Sequence, residues 1–153
     1  MDNTWSDNST KAMEILDRMF SAEMEFMRSD GNDLSGITSA FHPDIVVHEP
    51  ASLPYPGDWC GYEELGKLFN TMHNTWSSIN VENMVATLDG DTLFMGGTLV
   101  AKARQSEKEV QLPFAQILKI KDDLVIEAFP YYFDTSLINA ALGHTEINKS
   151  ALS

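Results

Sequence analysis

Cysteine is nearly absent from this chain, because Cys60 is the single cysteine among 153 residues. One thiol cannot form an intrachain disulfide or a cysteine-rich metal site. The fold must therefore be held by buried apolar surface, and a domain of this length buries roughly 70% of the surface that its unfolded chain exposes. A lone cysteine also suits a reducing compartment, so we expect a cytoplasmic protein.

Positive charge is scarce as well. The chain has 10 Lys and Arg residues against 23 Asp and Glu residues, which gives a formal net charge of -13. A nucleic-acid-binding protein needs Lys and Arg to neutralise phosphates, and an anionic membrane attracts the same residues. We therefore expect neither a nucleic-acid partner nor a membrane partner.

Long apolar runs are missing too. No stretch approaches the roughly 20 apolar residues that span a bilayer, and residues 1–9 lack the apolar core of a signal peptide. The sequence also has no internal repeat and no linker rich in Pro, Gly or Ser. We therefore predict a single domain over residues 9–143, with loose termini at 1–8 and 144–153.

Apolar residues recur at helical spacing in the first half of the chain. They predict three helices, over residues 9–30, 33–42 and Tyr62–Trp76. Asp33 is expected to cap the second helix, and Pro43 to end it because the residue before a proline avoids the helical region. A strand over Asp44–Glu49 and an irregular, proline-rich loop follow the second helix.

In the second half the apolar pattern changes to a period of two. This period predicts four strands: Ile79–Leu88, Thr92–Arg104, Glu109–Ile120 and Leu124–Phe133. A final short helix is expected after them, over Thr135–Leu142. The connections are short and polar, which is typical of hairpins, so the strands should form an antiparallel meander. Because the last two strands are apolar on both faces, we expect a homodimer partner to cover the outer face of the sheet.

Four local motifs point to a known family: the Asp-Leu-x-Gly-Ile turn of Asp33–Ile37, the strand Phe41–Pro50 that ends in Glu-Pro, the helix start Gly61–Glu63 and the aromatic strand end Tyr131–Asp134. Together with the order of elements, they resemble the nuclear transport factor 2-like superfamily, closest to its SnoaL-like polyketide cyclase and ketosteroid isomerase branches. The resemblance implies an α+β, cystatin-like fold, in which a curved antiparallel sheet wraps around helices as a cone with an internal pocket. It also implies that this pocket takes a small hydrophobic molecule and needs no cofactor.

The ketosteroid isomerase branch places its catalytic base just before the proline that ends the first strand, which corresponds to Glu49 here. Its oxyanion hole uses a tyrosine on the first helix and a protonated aspartate on a later strand. The matching positions fall near Glu25 and at Ala115, and Val110–Ile120 also lacks the acid that the SnoaL-like cyclases use. We therefore expect this chain not to be a true ketosteroid isomerase.

Glu49 is the leading catalytic candidate. Strand alternation puts it on the same face as Ile45 and Val47, toward the predicted hollow. An apolar pocket raises the pKa of a carboxyl toward neutrality, as a general acid or base requires. The alternative is a solvated acid at the rim, bonded to the proline-rich loop.

Two other titratable residues are catalytic candidates. Alternation points His48 away from Glu49 unless a bulge at the strand end brings them together, and a purely structural histidine is the alternative. Asp134 closes the last strand either as an acid at the pocket mouth or as the N-cap of the final helix. His42 and His73 show no metal-ligand spacing with His48, so no metal site is predicted.

The remaining candidates are ligand-binding residues: Tyr55, Trp59, Phe69, Met95, Gln116 and Tyr132. The loop pair Tyr55 and Trp59 either contacts the ligand or packs its loop onto the sheet. Phe69 on the third helix and Met95 and Tyr132 on the strands either line the pocket or fill the core. Gln116 is a polar residue in an apolar strand, so it needs a partner in the pocket or across a dimer interface.

These residues favour one function and leave two alternatives open. The favoured function is a cofactor-independent isomerase, cyclase, dehydratase or epoxide hydrolase that acts on a small hydrophobic metabolite through a pocket carboxylate. The first alternative is a protein that binds such a molecule without catalysis. The second is a dimeric interaction module with a vestigial pocket. An enzyme needs at least two titratable or donor groups facing one reacting atom, whereas a filled pocket would favour the interaction module.

Overall fold

Four helices and six strands form in residues 4–29 and 33–143, the part of the chain that a computed structural model describes. The helices are α1 (Thr4–Arg28), α2 (Ser35–Ala40), α3 (Gly61–Thr75) and α4 (Thr135–Ala141). The strands are β1 (Phe41–Glu49), β2 (Gly57–Cys60), β3 (Trp76–Asp89), β4 (Thr92–Ala103), β5 (Glu109–Lys121) and β6 (Leu124–Tyr132). Residues 4–8, which were expected to be loose, belong to α1. The other residues expected to be loose, 1–3 and 144–153, and the expected end of the first helix at residue 30 lie outside the described residues.

All six strands belong to one sheet, in the order β2-β1-β6-β5-β4-β3. The expected antiparallel meander of β3 to β6 is confirmed by the pairing of consecutive strands. β1 lies parallel to β6 and antiparallel to β2, so the sheet is antiparallel apart from one pair. The α+β fold class expected from the sequence is the one observed.

Several element boundaries differ from the sequence-based expectation, most of all those of α1, α2 and β1. α1 begins at Thr4, before the expected start at Ser9 or Thr10, and Asp7 in its first turn complements the helix dipole. α2 ends at Ala40, so Pro43 lies inside β1 and does not end a helix. The pairing of β1 with β6 changes register between Phe41 and Val46, and such an irregularity tolerates a residue with no backbone donor.

The proline-rich loop contains a strand that was not expected, β2. It is four residues long and pairs antiparallel with the end of β1, where Glu49 lies opposite Gly57 and Val47 opposite Trp59. Gly57 has a φ of 98°, which a glycine adopts without strain. This pairing fixes the backbone of the last part of β1, up to and including Glu49.

The sheet bends at an irregularity in β3. The register of β3 against β4 shifts between Glu82 and Val85, and Asn83 within the shift has a φ of 55°. Gly97 on β4 lies against this bulge, and a Cβ there would come within 2.8 Å of the carbonyl oxygen of Glu82. A bulge of this kind increases the local twist, so the sheet curves around its helical face.

α1 and α3 lie on the concave face of the sheet, where α1 contacts β3 and α3 contacts β1. Their buried faces pack against inward-pointing strand residues, which include Ile45, Leu93 and Leu118. The helices do not fill the concave face, and a cavity of about 290 Å³ remains between them and the sheet. None of the helices in the described ranges is long and apolar enough to cross a membrane.

Candidate functional site

The cavity has an apolar wall that carries a few acidic and polar side chains. Its aromatic residues are Phe20, Phe41, Phe69, Phe114 and Tyr132. Its acidic residues are Asp17, Glu23 and Glu49. Asp17 is exposed to solvent and so lies where the cavity opens, whereas Glu49 is 8% exposed and lies deep inside it. A small ligand would therefore meet hydrophobic surface over most of its area and carboxyl groups at a few points.

Glu49 ends β1 on the face that points into the cavity, together with the buried Val47. Burial raises the pKa of Glu49 to about 8; a hydrogen bond from Tyr132 opposes this rise, and the nearby charge of Glu23 adds to it. The hydroxyl of Tyr132 donates this hydrogen bond to Oε2 of Glu49 at 3.2 Å. A carboxyl with a pKa near neutrality can both give and take a proton in the physiological range.

Glu23 is a second cavity carboxyl, and sequence reasoning missed it. It is half-buried on α1, and burial raises its pKa to about 7. Met19 lies one turn before it and Met27 one turn after it, so its position on the apolar stripe of α1 was the available signal. Glu25, to which the isomerase comparison had pointed, is exposed and does not line the cavity.

Three of the predicted ligand-binding residues lie in the cavity wall: Phe69, Gln116 and Tyr132. The ring centroid of Tyr132 is 5.0 Å from that of Phe114, and burial raises the pKa of the Tyr132 phenol well above its ordinary value. On β5 the cavity residues are Phe114 and Gln116, so Ala115 between them points to the other face of the sheet. The polar group at this point of the wall is therefore the amide of Gln116.

The other three predicted ligand-binding residues do not line the cavity. Tyr55 is buried, its hydroxyl accepts a hydrogen bond from Nε1 of Trp76 at 3.0 Å, and burial raises its pKa. Trp59 is half-buried on β2, and its indole donates to the carbonyl oxygen of Tyr55 at 3.4 Å. Met95 is buried in the core under β4. Their placement matches the alternative of packing rather than direct contact with the ligand.

His48 points to the outer face of the sheet, away from Glu49. Its Nδ1 lies 2.7 Å from Oδ1 of Asp58, and its Nε2 lies 2.8 Å from Oε2 of Glu127. Its ring stacks on Phe129 with a centroid distance of 4.5 Å. Burial lowers the pKa of His48, but the two carboxylates outweigh that effect and the net pKa is raised. No bulge brings His48 to the cavity carboxyls.

Asp134 caps α4, because its Oδ1 accepts a hydrogen bond from the backbone N–H of Ser136 at 2.9 Å. It lies beside a separate depression whose wall includes Pro50 and Ser52, and it does not line the cavity that holds Glu49. The structure therefore brings together Glu49, Phe69, Gln116 and Tyr132, and it separates His48 and Asp134 from them.

The positions of the histidines and acids show whether these side chains could bind a metal ion together. Nδ1 of His42 accepts a hydrogen bond from the backbone N–H of Asp44 at 3.0 Å. Across residues 4–29 and 33–143, no three His, Cys, Asp or Glu side chains are grouped so that they could share a metal ion.

Comparison with known proteins is informative at the level of family and fold. The sequence profile of the SnoaL-like domain matches residues 14–128. None of the curated protein sequences matches this chain. A nuclear transport factor 2-like protein from Burkholderia xenovorans superimposes with a TM-score of 0.72 at 16% identity, and the match covers 88% of this chain and 97% of that chain.

Two further structures were solved with small molecules. TerC, co-crystallised with polyporic acid, has a TM-score of 0.68 at 15% identity, over 84% of this chain and 98% of that chain. A protein with a ketosteroid isomerase-like fold from Catenulispora acidiphila, in complex with trimethylamine, has a TM-score of 0.61 at 15% identity, over 71% of this chain and 81% of that chain. At these identities the structures share a fold, whereas the profile match spans most of the sequence. The chain therefore belongs to the SnoaL-like domain family, and its fold is that of the nuclear transport factor 2-like structures to which it is similar.

Proposed function

We propose that the cavity binds a small hydrophobic molecule and that Glu49 transfers a proton to or from it. The observation that carries this proposal is the Glu49 carboxyl itself, which lies buried in an apolar cavity beside the hydroxyl of Tyr132. Two structures of the same fold, each solved with a small molecule, support binding of this general kind.

The two cavity carboxyls suit acid and base roles. With pKa values raised to about 7 for Glu23 and about 8 for Glu49, the pair holds at least one proton near neutral pH. Carboxyls whose environments differ can divide the work, so that one donates a proton while the other accepts one. Isomerisation, cyclisation, dehydration and epoxide opening can each use such a pair, and none of them needs a redox cofactor.

The polar groups of the cavity favour an enzyme over the two alternatives. Glu23, Glu49, Gln116 and Tyr132 all line one cavity, which exceeds what a carrier needs for shape and anchoring. An interaction module with a vestigial pocket would have filled this space with side chains. Steroid isomerisation would need two oxyanion-hole donors, a tyrosine on α1 and an aspartate on β5. α1 has no tyrosine, and the matching position on β5 is Ala115, so the sequence argues against this reaction.

A substrate screen with matched variants tests the proposal. Small apolar ketones, enones and epoxides should be incubated with the parent protein, Glu49→Gln and Glu14→Gln. Glu14 is exposed on α1 and does not line the cavity, so its variant removes the same charge without touching the site. Turnover should vanish in Glu49→Gln and persist in Glu14→Gln. Equal turnover in all three proteins would refute the role of Glu49.

We also propose that the protein is a cytoplasmic homodimer. Phe94, Ile117 and Phe129 are paired across β4, β5 and β6 and form an apolar row on the outer face of the sheet. Phe94 is 43% exposed, and Tyr131 and Phe133 nearby are 53% and 78% exposed. Neighbouring exposed aromatic side chains on one sheet face are rarely left in contact with water, and a second copy of the sheet would cover them. The single free cysteine suits the reducing cytoplasm.

A further inference from the structure

The charges on the cavity wall all have one sign. Asp17, Glu23 and Glu49 line the cavity, and none of the described residues that line it is Lys, Arg or His. The chain as a whole carries a formal net charge of -13, so distant residues do not compensate. An anionic ligand would meet repulsion and find no cationic partner, whereas a cation would be attracted by acids on α1 and on β1.

The two deeper carboxyls lack the partners that buried carboxyls usually have. Within the described part of the chain, the half-buried carboxyl of Glu23 has no hydrogen-bond or ion-pair partner, although it faces the cavity. Glu49 accepts a hydrogen bond from the neutral hydroxyl of Tyr132 only. Buried charges are normally paired, and a carboxyl without a cation takes up a proton instead. The protein therefore gives neither Glu23 nor Glu49 a cationic partner, and a positively charged ligand could supply one.

The rest of the wall suits an organic cation. Aromatic rings line the same cavity as the carboxyls. The ring centroids of Phe41 and Phe69 are 5.9 Å apart, and those of Phe114 and Tyr132 are 5.0 Å apart. The electron-rich face of an aromatic ring attracts a cation, and it does so best where water is excluded. Aromatic rings next to carboxylates bind alkylated ammonium groups, because they satisfy the charge and the apolar substituents together.

We infer that the cavity takes its ligand as a hydrophobic ammonium ion, an amine with apolar substituents whose charge lies against Glu23 and Glu49. This inference rests on the proposed function, because it names the class of small molecule that the same cavity binds. A bound cation stabilises the ionised carboxylates, so Glu49 then accepts a proton rather than donating one.

Binding of a cation should be linked to protons. The titratable groups facing the ligand are Asp17 and Glu23 from α1, Glu49 from β1 and Tyr132 from β6. A cation favours the ionised forms of Glu23 and Glu49, so these two carboxyls release protons when it binds. The affinity for a permanently charged ligand should therefore rise as the pH is raised from 6 to 9.

The test compares phenyltrimethylammonium, a permanent cation, with tert-butylbenzene, its neutral carbon isostere. Dissociation constants are measured by ligand-observed NMR, and proton release by calorimetry in two buffers of different ionisation enthalpy. We expect phenyltrimethylammonium to bind at least about ten-fold more tightly than tert-butylbenzene at pH 8. Glu23→Gln and Glu49→Gln should each weaken the cation about ten-fold and leave the isostere nearly unchanged, while Glu14→Gln alters neither.

The outcomes separate this inference from the function on which it rests. If the isostere binds as tightly as the cation, the preference for ammonium is wrong, and binding of small hydrophobic molecules stands. If neither probe binds, both the inference and that function are refuted. An equal loss of cation affinity in Glu14→Gln, or an affinity independent of pH in the parent protein, would also overturn the inference. The pH series uses the parent protein alone, so it remains decisive even if a variant fails to fold.

Discussion

Nε2 of His48 lies 2.8 Å from Oε2 of Glu127, a residue 79 positions further along the chain, and this contact joins β1 to β6 on the outer face of the sheet. The other ring nitrogen faces Asp58 on β2 at 2.7 Å. One imidazole thus connects three neighbouring strands at the end of the sheet that holds Glu49. Its two contacts therefore join those strands.

His48→Ala should destabilise the protein more at low pH than at high pH. The folded pKa of His48 is raised, so its stabilising effect is complete below the unfolded pKa of about 6.5 and is lost as the pH rises through the folded pKa. The difference in Tm between the parent and His48→Ala should therefore be larger at pH 5.5 than at pH 8.5. Glu127→Gln should reduce this pH dependence. A difference in Tm that is the same at both pH values would contradict the ion-pair role.

Glu49→Gln should leave the fold intact and stabilise it at neutral pH. The pKa of Glu49 is raised from 4.5 to about 8, so ionisation is harder in the folded state, and the free energy of unfolding decreases as the pH rises between those values. The variant has no such charge, so its Tm should equal or exceed that of the parent at pH 7, with an advantage that grows from pH 5 to 8. Melting curves from pH 4 to 8 measure this. A variant clearly less stable at pH 7 would show that partners hold the carboxylate ionised.

Tyr132→Phe should raise the pKa of Glu49 further. The Tyr132 hydroxyl stabilises the ionised carboxylate, and its hydrogen bond is the one influence that lowers this pKa. Carbon-detected NMR titration of the labelled Glu side chains should show the change. Tyr131→Phe, which removes an exposed hydroxyl from the next position of β6, is the control and should leave the pKa of Glu49 where it was. If both variants behave alike, the hydrogen bond has no effect on the carboxyl.

Trp76 and Tyr55 should be energetically coupled. The indole donates to the buried phenol at 3.0 Å, so Trp76→Phe leaves the Tyr55 hydroxyl without this donor and should cost roughly 1–3 kcal/mol of unfolding free energy, beyond the loss of packing. Urea denaturation of both single variants and of Trp76→Phe with Tyr55→Phe gives a double-mutant cycle, which should show a coupling of about 1 kcal/mol. Purely additive effects would mean that the contact contributes no specific stabilisation.

Phe94→Asp should convert the proposed dimer to a monomer. The charge would lie at the β4 end of the apolar row on the outer face, where a partner sheet could not solvate it. Leu34→Asp is the matched control, because both residues are 43% exposed and Leu34 lies at the start of α2, away from the sheet. Sedimentation at micromolar concentration should give a dimer for the parent and the control and a monomer for Phe94→Asp. A parent protein that sediments as a monomer would end the dimer proposal.

The local sequence pattern was sufficient to predict much of the fold. The period of two and the short polar turns predicted the meander of β3 to β6, because side-chain alternation and hairpin connections are properties of neighbouring residues. The same alternation placed Glu49 with Val47 on the cavity face and His48 on the other. A strand has two faces only, so once one residue is known to be buried, the orientation of the others follows.

Tertiary structure decided what local pattern could not. β2 is four residues long, and it exists as a strand because β1 offers it a partner, which a proline-rich segment does not reveal. Glu23 and Glu25 both lie on α1, but only the rotation of the helix against the sheet determines that Glu23 meets the cavity.

Contacts between residues far apart in sequence likewise could not be predicted from the local sequence pattern. Trp76 reaches Tyr55 across 21 positions and His48 reaches Glu127 across 79, and each contact depends on how the sheet curves and in which order its strands lie. The sequence by itself therefore determined the type of each long element and the face on which Glu49 lies, since these are set by neighbouring residues. The groups that surround Glu49, and hence its raised pKa, were decided by the packing of α1 and β6 against β1, because desolvation depends on every element that encloses the carboxyl.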